Sequence, residues 1–191
     1  MVDLQELRFD LGTPWLNLLG TLGRPYSAHP IERLTGPARL AEWLAHEGFT
    51  PATGERSTAD VALAKQLRET LRPLVLAAAR GESPDPAAAG ALNDFLAADE
   101  PVRVEPDDGG LRAVPASTLP AALSRVARQA ALQLSGPEAA QLRLCADEEC
   151  AGAYLDPTGR RRWCATDRCG VKARVRAHRA RLKADGAAAD H

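Results

Sequence analysis

The chain has 191 residues, enough for one ordinary hydrophobic core plus a small appendage, and its formal net charge is −1. That near-neutral sum hides a split: residues 1–156 hold 14 basic and 22 acidic side chains, and residues 157–183 hold ten basic side chains and one acid, Asp167. Of the 24 basic residues 21 are Arg, a skew we read as the mark of a GC-rich genome, so Arg abundance alone does not argue for a nucleic-acid partner, whereas its position does. No uncharged stretch reaches the ~18 residues of a membrane helix. The start Met-Val-Asp-Leu-Gln-Glu has neither a basic nor an apolar leader segment, and the expectation is a soluble, cytoplasmic protein with no membrane partner.

In chain order, residues 7–27 mix Leu7, Phe9, Leu11, Trp15, Leu16, Leu18 and Leu19 with Gly20 and Gly23, which predicts a short strand or loop leading into a helical turn. From Ile31, the apolar positions Leu34, Leu40, Trp43 and Leu44 have helical spacing, ending near Gly48 as a C-cap. Ser57-Thr58 then caps a helix with Val61, Ala64, Leu67, Leu71, Leu74, Val75 and Ala78 on one face. Pro73 inside that run should kink or shorten it. Gly81 to Pro86 reads as a linker and Ala87–Ala98 as another helix. Val102–Val104 and Leu111–Val114 alternate around Glu-Pro-Asp-Asp-Gly-Gly, the signal of a hairpin with a long loop. A last body helix, Leu119 to Leu134, follows Ser117-Thr118 and carries Leu119, Leu123, Val126, Ala130 and Leu134 on one face.

The body is thus expected to be mainly α with a small β-hairpin. It has no internal repeat, nucleophile elbow, phosphate loop or dinucleotide fingerprint, so an enzyme is not expected. His29 and His46 fall near Trp15 and Tyr26 in sequence, but they read as surface or helix-end histidines rather than a ligand pocket, and Trp43 reads as core.

The chemistry is concentrated further on. All four cysteines, Cys145, Cys150, Cys164 and Cys169, fall in one segment with spacing C-x4-C-x13-C-x4-C. Two pairs separated by a hairpin-length insert suit one closed tetrahedral Zn²⁺ site, and four such ligands leave no open position for a substrate. Two disulfides would need an oxidising compartment. Glycines after each pair, Gly152 and Gly170, suit zinc knuckles. Asp156-Pro157-Thr158-Gly159 reads as a type I turn between Ala153–Leu155 and Arg161–Trp163, predicting a hairpin. Thr166 or Asp167 caps a following helix with Cys169 in its first turn, and Val171, Val175, His178 and Leu182 form a stripe expected to pack on Tyr154 and Trp163. His178 is a fallback ligand that reads better as core. Knuckle, hairpin and helix make a treble-clef-like finger, too small to hold itself without metal.

The remaining positions are basic: Arg160, Arg161 and Arg162 on the hairpin, and Arg168, Lys172, Arg174, Arg176, Arg179, Arg181 and Lys183 towards and along the helix. Two or three cations suffice to offset a tetrathiolate zinc site of charge about −2. The excess favours a phosphate backbone, and these ten residues are the candidate nucleic-acid contacts.

The run Leu142-Arg143-Leu144-Cys145, Cys150, Tyr154-Leu155-Asp156, Arg161-Arg162-Trp163-Cys164, Cys169-Gly170 and Arg174 resembles the CGNR zinc finger. Trp15-Leu16-Asn17, Glu32 to Trp43-Leu44, and Leu67-Arg68-Glu69 with Leu71 resemble the ABATE domain that precedes it in a bacterial family held to be stress-induced transcription regulators. The name-giving Cys-Gly-Asn-Arg reads Cys169-Gly170-Val171-Lys172 here, which keeps a charge and loses a polar side chain, and Asn17 precedes Leu18 where the family favours Thr. The resemblance implies an ABATE-like sensor over 1–138, a CGNR-like finger over 139–184 and one structural zinc. We expect residues 185–191 to be a disordered tail. The expected function is a zinc-binding, DNA-binding regulator whose body senses a small-molecule effector or forms a homodimer. The alternatives are a zinc-stabilised protein-interaction adaptor, and a redox or zinc sensor.

Overall fold

A computed structural model describes residues 5–189, with side chains as far as Leu182. The architecture is mainly helical, with three small antiparallel hairpins. Helix α1 (Pro14–Leu19) buries Trp15, Leu16, Leu18 and Leu19, so it runs through the core rather than over it. Such an all-round apolar helix leaves its one polar residue in need of partners. Asn17 finds them: its Oδ1 accepts from the Leu11 N–H at 3.0 Å, and its Nδ2 donates to Glu47 at 2.9 Å.

After α1, Leu22–Gly23 (β1) pairs with Ile31–Glu32 (β2), and helix α2 starts only at Pro37 and runs to Glu47. The helix expected from Ile31 therefore starts only at Pro37, after two residues of strand pairing and a short connection. Two-residue strands carry no periodicity, and Leu34 is buried on the connection between β2 and α2. Helix α3 (Thr58–Arg80) is the centre of the body and packs on α1, α2, α4 and α5. Ser57 and Asp60 close a capping box at its start, and Gly81 at φ 69° ends it. Pro73 does not stop it. A Pro inside a helix costs about 3 kcal/mol, and burial of Leu67, Leu71, Leu74 and Val75 on either side, at about 1.5–3 kcal/mol each, outweighs that.

Helix α4 (Pro86–Leu96) is capped by Asp85, and α5 (Leu119–Ser135) by Thr118. Between them the hairpin of β3 (Val104–Asp107) and β4 (Gly110–Ala113) turns on Asp108-Gly109 alone. The long loop expected there is instead paired strand, and Gly110, at φ 149° just past the turn, takes a backbone conformation that favours glycine. Both strands stand almost wholly in solvent.

A 3-10 turn (Pro137–Gln141) leads into β5 (Leu142–Leu144), which pairs with β6 (Ala153–Leu155) in the register Leu142↔Leu155, Arg143↔Tyr154 and Leu144↔Ala153. This corrects the expected hairpin: β6 pairs backward with β5, not forward with Arg161–Trp163. The turn at Asp156 does form, with the Gly159 N–H bonded to the Asp156 carbonyl. The Asp156 carboxylate accepts from Thr158 and from the Arg161 N–H. These bonds outweigh burial and hold the Asp156 carboxyl below the usual carboxylate range.

The finger shares the body's core. Leu142, Cys145, Ala153, Tyr154, Cys164 and Cys169 are continuous with the cluster around Trp15, Trp43 and Leu71. The Leu155 N–H donates to the Leu11 carbonyl at 3.0 Å, where Gly12 is needed because a Cβ would lie 2.9 Å from Leu155 Cβ. A π turn (Thr166–Gly170) then opens into helix α6 (Val171–Ala189). Helix runs over residues 185–189 of the expected tail, and residues 190 and 191 lie outside the described ones. Among the described residues, no helix is long and apolar enough to cross a membrane.

Candidate metal centre

The two cysteine pairs are brought together by two backbone knuckles. At the first, the Cys145 N–H donates to the Gly152 carbonyl at 2.9 Å, and the N–H groups of Cys150 and Ala151 both donate to the Asp147 carbonyl. Ala151 takes the left-handed conformation, with φ 42°, so that Gly152 can pass beside the sulfurs. A Cβ on Gly152 would sit 3.2 Å from Cys150 Sγ. At the second knuckle, the Ala165 carbonyl accepts from the N–H groups of Cys169 and Gly170. The two are tied by the Ala146 N–H to Arg162 carbonyl bond, and by the Tyr154 hydroxyl, which donates to the Arg161 carbonyl at 2.6 Å.

The four Sγ atoms lie within 4.8 Å of one another, with Cys150–Cys164 at 3.5 Å and Cys164–Cys169 at 3.6 Å. A Zn–S bond of about 2.3 Å sets tetrahedral sulfurs about 3.8 Å apart. The donor set fits one zinc ion: Cys145, Cys150, Cys164 and Cys169 would hold it, and its tetrahedron would be full. His178 is exposed on α6, away from this group.

Crowding splits the acidity of the thiols. Cys164 is driven well down by hydrogen bonds from Cys145, Cys150 and Cys169 and by nearby Arg8, and Cys145, hydrogen-bonded by Cys150, falls to about 7. The same contacts push Cys150 and Cys169 up, so metal binding displaces protons and weakens as pH falls.

One residue of the centre escaped sequence reasoning. Arg8, buried at the start of the body, donates from Nη1 to Cys164 Sγ at 3.2 Å and from Nη2 to the Cys164 carbonyl at 3.4 Å. Asp10 grips the other side of the guanidinium. A cation against a thiolate offsets part of the charge of a tetrathiolate site. A lone Arg 156 residues from its partner carries no motif that would reveal it.

The basic positions sort into two groups. Arg161 donates to the Cys164 carbonyl and lies over Tyr154, and Arg168 pairs with Glu6. Arg174 donates to the Gly170 carbonyl, while Arg176 pairs with buried Asp147 and with Glu149. These four brace the finger. Arg160, Lys172, Arg179 and Arg181 are exposed and have no hydrogen-bond or ion-pair partner among the described residues, and Arg162 meets only the Trp163 ring. Lys183 lies beyond the described side chains.

The expected packing of α6 is not what forms. Val171, Val175 and Leu182 are 42%, 43% and 58% exposed, and Trp163 packs instead on Gly170. Helical periodicity reports an apolar stripe but not whether the chain supplies something to cover it. The histidines form no pocket: His46 stacks on Phe9, Tyr26 is exposed, and the Trp15 indole N–H donates to Gln133.

Residues 12–137 match the ABATE family model, described as "Putative stress-induced transcription regulator", and residues 141–182 match the CGNR zinc finger. The chain belongs to the ABATE family. Its finger is a CGNR zinc finger with one structural zinc site. No curated protein matches the chain. The ABATE match ends and the CGNR match begins in the 3-10 turn before β5, yet the buried core runs across that point without a break.

Proposed function

We propose that this ABATE–CGNR protein is a DNA-binding transcription regulator that acts by binding rather than by catalysis. The carrying observation is α6. It is basic, and apart from Ala173 every described side chain on it is exposed. Lys172, Arg176 and Arg179 recur at four and three residues and so share one face, while Arg174 and Arg181 lie on the other side of the helix. A basic helix standing clear of its own core, rooted beside a metal centre, suits docking on a duplex, with Arg160 and Arg162 reaching phosphates alongside. Knuckle, β5–β6 and a helix rooted at the last ligand make a treble-clef-like finger. The zinc holds the root of α6 rigid and does no chemistry. The ABATE body, with its apolar core and acidic surface, is the natural seat of effector sensing or of pairing with a second copy.

The test is a salt titration of zinc-loaded protein against duplex DNA. Five cations free of strong intrachain partners, Arg160, Arg162, Lys172, Arg179 and Arg181, give an expected slope of log K against log[salt] of about −4 to −5. Replacing Lys172, Arg179 and Arg181 with Ala should bring the slope to about −2. An unchanged slope rules out α6 as the docking element. No binding at low salt turns the reading to a protein-interaction adaptor, for which the exposed Val171, Val175 and Leu182 would be the contact.

A further inference from the structure

Between the ABATE body and the finger lies a cavity of about 330 Å³, at the lower end of the range for small-molecule sites. Leu22, Ile31, Val75 and Leu76 form its apolar body wall. Its finger wall is the knuckle at Ala151 and Gly152 and the root of α6 at Arg168 and Lys172.

Arg33 stands in this wall and is only 5% exposed. The backbone is shaped around it: a Cβ on Gly23 would lie 2.5 Å from Arg33 Nη1. Nη1 donates to the Gly20 carbonyl at 2.9 Å, which is the only hydrogen bond that its side chain makes among the described residues. Nε is buried without a partner. No described carboxylate forms an ion pair with it, since its sequence neighbour Glu32 is committed to Arg68 and Lys65.

The surrounding cations are matched. Arg8 has Asp10 and the Cys164 sulfur, Arg24 has Glu149, Arg72 has Glu69 and Arg168 has Glu6. Arg33 is left over, and across the cavity Lys172 also lacks a partner. Burial first, and then the nearby charges of Arg8 and Arg168, push the Arg33 guanidinium below its ordinary pKa, against the pull of Cys150 and Glu32. Asp147 and Asp167 also line the cavity, but Asp147 is paired with Arg176 and neither forms an ion pair with Arg33. A buried, unpaired guanidinium is costly, and a carboxylate answers it with two parallel hydrogen bonds.

We propose that this cavity binds a small organic carboxylate, whose charged end pairs with Arg33 and Lys172 and whose apolar chain or ring lies on Leu22, Ile31, Val75 and Leu76. The walls come from both halves of the molecule, so such a ligand touches the body and the root of α6 together. Its standing as the effector of DNA binding rests on the regulator reading; the site itself does not.

The experiment is calorimetric titration of the zinc-loaded full chain with octanoate and benzoate, using 1-octanol and inorganic phosphate as comparisons, and no DNA. At least one carboxylate should bind about tenfold or more tighter than octanol and than phosphate. Arg33→Met should cost that carboxylate about tenfold or more while zinc content is unchanged. Leu76→Trp, which fills the cavity and leaves Arg33 in place, should abolish binding and decides the matter should the Arg33 variant not fold. Octanol binding as tightly as octanoate, or a folded Arg33→Met with undiminished affinity, overturns the charged half of the proposal. Phosphate binding as tightly as the carboxylates overturns the apolar half. No heat from either carboxylate at about 10 mM overturns the whole. These readouts contain no DNA, so failure of the regulator reading leaves them standing.

Discussion

Helices α3 and α6 are the two longest among the described residues, 23 and 19 residues, and they are opposites. Helix α3 opens on a capping box, closes on a left-handed glycine and buries Leu67, Leu71, Leu74 and Val75 among four other helices. Helix α6 grows directly out of the π turn and buries none of its described side chains. Its Ala, Arg and Lys residues are good helix formers, but an isolated helix of this length is marginal in water. One helix is held by the protein, and the other is held out by it.

The hardest blow to that contrast is removal of zinc. The metal's binding free energy is on the order of 10 kcal/mol, and the finger's buried residues are part of the core that surrounds α3. A chelator, or Cys164→Ser, should therefore lower the melting temperature of the whole chain in calorimetry. Independent melting of the body at its original temperature would show that the two parts are separable after all.

The second largest effect is Leu71→Ala, at a fully buried position of α3, expected to cost about 3 kcal/mol in urea unfolding. Its counterpart on α6, Val175→Ala, should change stability by less than about 0.5 kcal/mol. Equal costs would mean that α6 is covered in solution.

Glu32→Gln should follow, at about 2 kcal/mol, because it strips buried Arg68 of its two-pronged partner while the half-exposed carboxylate tempers the loss. Burial raises the Glu32 pKa, but its bonds with Arg68 win and set it below the ordinary value. The stabilisation is thus complete above the unfolded carboxyl range and is lost as pH falls through the lower folded value. Stability measured between neutral pH and about pH 3 should fall less steeply in the Gln variant.

Next comes Arg8→Met, which should weaken zinc binding by about tenfold, about 1.4 kcal/mol, in competition with a chromophoric chelator. No change would leave Arg8 as packing alone.

Much of the buried helix was legible and much of the exposed one was not, for a physical reason. The face of α3 from Val61 to Val75 repeats at 3.6 residues because one side meets a core, and Ser57 with Asp60 marks its start. The cysteine spacing likewise revealed the metal centre. In α6, Val171, Val175 and Leu182 show the same kind of repeat, but no described residue buries them. The pairing of β5 with β6 was missed because the segment after Asp156 lay nearer and looked as good. Only the register with Leu142–Leu144, and the Leu11 carbonyl waiting beyond, decide it. Arg8 and Arg33 were unreadable for another reason: one Arg among 21 announces nothing until its neighbours are known.

The bonds from residues 8–12 to residues 155 and 164 also bear on how this protein is made. The first of these segments leaves the ribosome well before its partners, 156 residues ahead in the case of Arg8 and Cys164. Until then Leu11, nearly sealed in the finished molecule, has no finger to lie against. A chain truncated before residue 142 would carry that unfinished seam permanently, offering quality-control proteases and chaperones an apolar handle. This finger grafted onto another body would leave the same gap unless the new host brought its own counterpart of Arg8 to Gly12.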